Sequence, residues 1–106
     1  MKKHDTTEYY DDQSDETFNI PVYINVSPDE LRTEYSSSVY RAIVVSIDRL
    51  SDRPDRDSMP CFQINDIVFE IDRSSYEDNL KECIKYFTST EEYEICAKLT
   101  SLNKKL

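Results

Sequence analysis

The sequence predicts an α+β fold: a small three-stranded, largely antiparallel sheet with three helices on one face, in the order β-α-β-β-α-α. Three observations carry that expectation. Residues 18–26 alternate between apolar and polar side chains, and residues 61–72 do so with a parity flip at their centre. Three stretches of helical spacing each open on a recognisable start.

The first seventeen residues come before any of these patterns. Residues 5–17 hold six acids and no base, and show no apolar period. Residues 1–17 therefore read as a disordered acidic arm, and 18–106 as a single α+β domain. The arm is expected to add little to the core.

In the first strand, Phe18, Ile20, Val22, Ile24 and Val26 share one parity, and Thr17, Asn19, Pro21, Tyr23 and Asn25 share the other. Period two marks a half-buried strand. Pro21 lacks an N–H for a ladder, which places the strand at a sheet edge.

Ser27-Pro28-Asp29-Glu30 is a helix start: a capping serine, proline in the first turn and the glutamate of a capping box. Leu31, Tyr35, Val39, Ile43, Ile47 and Leu50 then line one helical face. Ser36, Ser37, Ser38 and the β-branched Ile43-Val44-Val45 oppose a continuous helix, and a strand over 39–48 is the alternative. Residues 51–60 read as a loop.

In 61–72, Phe62 and Ile64 have even parity, and Ile67, Phe69 and Ile71 odd. A two-residue turn at Asn65-Asp66 pairs Ile64 with Ile67 and Phe62 with Phe69 on one face. Ser74 to Glu77 opens a second helix with Tyr76, Leu80, Cys83, Ile84 and Phe87 in a stripe. Thr88 to Glu92 ends it and starts a third, striped by Ile95, Leu99, Leu102 and Leu106.

Composition removes several classes of function. The 106 residues include no Gly, where average usage gives about seven. Phosphate loops, dinucleotide fingerprints and glycine-containing nucleophile elbows are thereby excluded. The only histidine, His4, lies in the acidic arm, so no Cys or Ser nucleophile has an evident base. Cys61, Cys83 and Cys96 form no C-x-x-C and read as free thiols, with a Cys83–Cys96 link as the minority alternative. Cys61 is the one candidate for reactivity. Pairs such as Asp55 and Asp57 lack the glycine turn of a calcium loop. No metal, no cofactor and no enzymatic activity are expected.

The longest apolar run is Ala42-Ile43-Val44-Val45, far short of the roughly 20 residues of a membrane helix. Met1-Lys2-Lys3-His4-Asp5 is followed by acids and not by an apolar leader. No membrane contact is expected, and a cytoplasmic location is.

The 22 acids against 13 Lys and Arg give a net charge of -9. That disfavours direct nucleic-acid binding and favours a basic protein partner. The chain also has eight Tyr, which supply contact area at low entropy cost. The expectation is a small acidic, non-enzymatic binding protein that inhibits or neutralises a basic partner of nucleic-acid-binding or nuclease type. An adaptor pairing through its edge strand is the alternative. Candidate contacts are Glu8, Tyr9, Tyr10, Asp11, Asp12, Asp15 and Glu16 in the arm and Asp52, Asp55 and Asp57 in the loop. Arg49, Arg53 and Arg56 partly neutralise the latter set.

Overall fold

The computed structural model describes residues 3–105. The class is α+β, with a mixed four-stranded sheet and helices. Strands β1 (His4–Asp11) and β2 (Glu16–Tyr23) precede helices α1 (Pro28–Arg32) and α2 (Ser36–Ser51). Strands β3 (Ser58–Ile64) and β4 (Ile67–Asp72), a 3-10 turn at Arg73–Ser75, and helices α3 (Tyr76–Ser89) and α4 (Tyr93–Lys105) follow. The sheet order is β1-β2-β3-β4.

The first correction concerns the expected disordered arm. Residues 4–11 form β1, which pairs antiparallel with β2 along its whole length, from His4 opposite Tyr23 to Asp11 opposite Glu16. The physical reason is side-chain chemistry that charge had masked. Thr6, Thr7, Tyr9 and Tyr10 are strand-favouring residues. Tyr9, opposite Phe18, packs against a cluster of Phe18, Ile20, Leu50 and Met59.

The second correction follows from the first. β2 is an internal strand, and the edges are β1 and β4. The sheet is also mixed, because β2 meets β3 in parallel at Val22–Gln63 and Tyr23–Ile64. Tyr23 accepts from the Asn65 N–H at 2.8 Å. Alternate residues aim their backbone groups to alternate sides, so Pro21 shares Tyr23's direction toward β3. Its missing donor falls just ahead of the two-residue parallel bridge, where no ladder partner waits. An internal proline is tolerated there.

Helix α1 carries the expected capping box: Ser27 Oγ accepts from Glu30 N–H at 3.1 Å, and Glu30 Oε1 accepts from Ser27 N–H at 3.1 Å. The helical face over 31–50 is split in two at residues 33–35. Thr33 Oγ1 donates to Asp29 O at 2.8 Å and Ser36 Oγ to Thr33 O at 3.1 Å, local bonds that compete with helix continuation. Beyond the break, 39–48 is helix, not strand. Four α-helices are therefore present among the described residues, one more than expected.

The Asn65-Asp66 turn is as expected, with Ile64 opposite Ile67 and Phe62 opposite Phe69. Asn65 takes the left-handed φ of 52° without a glycine. β3 starts at Ser58, inside the stretch read as a loop. Pro60 is accommodated by a register shift between Pro60 and Phe62 that leaves Cys61 outside the pairing.

The main core lies where α2, α3 and α4 meet β3 and β4, built on Ile47, Cys61, Ile71, Leu80, Cys83, Phe87 and Leu99. Tyr23 departs from its expected polar parity. It is fully buried, and its hydroxyl lies 2.6 Å from Ser38 Oγ on α2.

Candidate functional site

The acids singled out in the sequence fall into two groups that the fold brings together. One group sits at the tip of the β1–β2 hairpin and the other in the loop from the end of α2 to β3. Two arginines of that loop hold them side by side. Arg56 pairs with Asp11, and Arg53 pairs with Glu16 at 2.8 Å.

The Asp11–Arg56 pair is the more buried of the two, with Asp11 only 3% exposed. Asp11 also accepts from the Ser14 hydroxyl at 2.7 Å. Burial by itself raises a carboxyl pKa. Here the Ser14 hydroxyl, the Arg56 guanidinium and the Gln13 N–H outweigh it and hold Asp11 below its ordinary value.

The loop is itself tied down by Arg73. Its guanidinium donates to Arg56 O at 2.9 Å, Arg53 O at 2.8 Å and Leu50 O at 3.1 Å. One arginine thus positions the two that lock the hairpin tip.

This geometry sorts the ten candidate residues. Asp11 and Glu16 are spent on internal pairs, and Tyr9 is packed against the smaller apolar cluster. Asp52 pairs with Lys105 at 3.1 Å in an exposed contact. Glu8, Asp12, Asp15, Asp55 and Asp57 are exposed and make no ion pair among the described residues. Tyr10 stands 60% exposed at the tip, its hydroxyl donating to Asp15 Oδ1 at 2.6 Å. That bond, with Asp12 and Asp11 nearby, raises the phenol's pKa. Asp15 holds a left-handed φ of 54°, which turns the chain into β2.

Sequence reasoning missed the place of His4. Its ring stacks on Tyr23 at 4.9 Å, and Nε2 lies 3.1 Å from Ser38 Oγ. Ser38 Oγ also bonds the Tyr23 hydroxyl, so it is not reserved for the histidine. No acid orients the ring among the described residues, the part that the third group plays in a Ser-His-Asp triad. The sequence signal was only the cross-strand register, which was invisible without β1.

Cys61, the one candidate for thiol reactivity, is buried, and burial pushes its pKa up to about 11. Burial likewise raises Cys83 to about 12. Such thiols stay protonated and act as small apolar side chains. Cys96 is also unpaired, so the Cys83–Cys96 link is absent. Among the described residues, no cluster of three metal-ligating side chains occurs, and no helix is long and apolar enough to cross a membrane. No family model matches this chain, and neither does any curated protein or solved structure.

Proposed function

We propose that this chain is a non-enzymatic acidic binding protein that covers and blocks a basic surface of a nucleic-acid-binding or nuclease-type partner, as phage antidefence and toxin immunity proteins do. One observation carries the reading. Five unpaired, exposed carboxylates (Glu8, Asp12, Asp15, Asp55 and Asp57) lie on segments that Arg53, Arg56 and Arg73 hold in place. Fixed acids on an anchored surface lose little freedom on binding, and their combined field steers a basic partner toward them. Tyr10 supplies the aromatic contact at the same tip.

The adaptor reading has its own support, now on β4 and not on the strand first expected. Ile67 is 62% exposed and Phe69 42% exposed on an edge strand. Such an edge invites strand addition.

Affinity capture from the native host, with bound proteins identified by mass spectrometry, tests both readings. Capture is repeated with the quadruple variant D12N/D15N/D55N/D57N and with F69K. The inhibitor reading expects a basic partner that the quadruple variant loses and F69K keeps. An acidic partner, or one lost only on F69K, overturns it in favour of the adaptor.

A further inference from the structure

A groove of about 740 Å³ runs between α2 and the β1–β2 hairpin. That volume lies within the usual range for small-molecule sites, roughly 300–1,000 Å³. Its floor is apolar, with Ile20, Pro21, Ala42 and Val45 among the lining residues. Val45 is 44% exposed there, while its neighbours Val44 and Ile47 are buried. The lining also carries two arginines, Arg41 and Arg49, and one acid, Glu34, which makes no ion pair among the described residues.

The two arginines differ in one respect. Arg41 is committed to Glu92, in the junction between α3 and α4. Arg49 has no carboxylate partner among the described residues, in a chain where acids outnumber bases. Its one polar contact is a long 3.5 Å bond to Asn19 O. Its guanidinium lies over the Phe18 ring at 4.9 Å, and the Arg53 guanidinium shares that ring at 5.2 Å. Arg53 is neutralised by Glu16, and Arg49 is left as the unmet cation. Partial burial, with the Arg53 charge beside it, lowers its pKa, and the more distant Asp48 and Glu16 carboxylates only partly offset this.

We infer that this groove binds a small-molecule monocarboxylate with an apolar body, the carboxylate paired with Arg49 and the body lying over Val45. A planar guanidinium matches a carboxylate in a two-bond fork, and the apolar floor strengthens that bond by excluding water. Arg49, in the last turn of α2, offers one positive charge to one carboxylate, and the acid of the lining, Glu34, lies ahead of the first turn at the other end of the helix; a phosphate dianion requires more cations than that. Val45 lies one helical turn, about 6 Å, from Arg49 along α2, a span that a medium-length acyl chain covers. This inference does not rest on the function proposed for the acidic tip and loop.

The probe is octanoate, titrated into uniformly 15N-labelled protein and followed by amide and arginine side-chain shifts. Octan-1-ol and octylammonium are the matched controls. Saturable shifts are expected at Ala42, Val45 and the Arg49 side chain, with octanoate binding at least about tenfold tighter than either control, since a charge-assisted bond is at stake. R49Q, its fold checked from the same spectrum, is expected to lose that preference and V45D to lose binding. The inference is overturned if octanoate gives no saturable shift up to about 5 mM. It is also overturned if octan-1-ol titrates as well as octanoate, or if R49Q retains the preference.

Discussion

The β1–β2 and β3–β4 hairpins belong to one sheet, yet they end differently. The first closes through residues 12–15 onto paired charge, with Asp11 buried against Arg56 and the half-buried Glu16 held by Arg53. The second closes through Asn65 and Asp66 and leaves Ile67 and Phe69 in solvent. In the first, polar residues do structural work; in the second, apolar residues stay outside the core. Residue type alone therefore does not separate scaffold from contact surface in this chain. The distinction lies in which partners the fold supplies.

The largest expected effect comes from removing β1. It covers β2 over eight residues and contributes Asp11. Deleting residues 1–12 is expected to lower the unfolding midpoint by more than any single substitution. A midpoint equal to that of the full chain shows the first hairpin to be dispensable, and the contrast then fails.

D11N comes next. It leaves Arg56 buried without a counter-charge and is expected to destabilise by about 3 kcal/mol, read by urea unfolding. D12N, one residue on and exposed, is expected to change stability by less than about 0.5 kcal/mol. The pair also predicts a pH dependence. Asp11 is held below its ordinary value of 3.8, so its contribution is complete above that value and is lost as pH falls through the lower folded-state value. The stability gap between wild type and D11N is expected to close under acid.

A smaller change concerns the α3–α4 junction. Glu91 has φ 62°, with Glu91 N–H donating to Thr88 O and Glu92 N–H to Phe87 O, the pattern of a helix ended by a left-handed residue. Glycine is the residue that tolerates this conformation, and E91G is expected to stabilise by about 1 kcal/mol in thermal or urea unfolding. Since the junction lies outside both hairpins, the gain is expected to be the same in wild type and D12N.

What was legible in the sequence was whatever depends on neighbours along the chain. The parity flip located the Asn65-Asp66 turn, and Ser27 with Glu30 located the capping box. What was not legible depends on pairing at a distance. Asp11 meets Arg56 across 45 positions, and six acids in a row of thirteen residues look like a solvated tail until that partner is seen. The strand-forming Thr6, Thr7, Tyr9 and Tyr10 were the available local signal. Pro21 misled for a related reason: proline excludes a ladder bond only where a neighbouring strand is present to offer one. Of the candidate contacts, the loop and the arm were both named, but only the fold separates the internally paired acids from the free ones.

The most direct test of the central claim is the association rate with the captured partner, measured across ionic strength for wild type and D12N/D15N/D55N/D57N. If the exposed acids of the tip and loop steer binding, the wild-type rate is high at low salt and falls as salt rises. The quadruple variant is then slow at low salt with a nearly flat salt dependence. Equal rates and equal salt slopes for the two proteins would contradict the account.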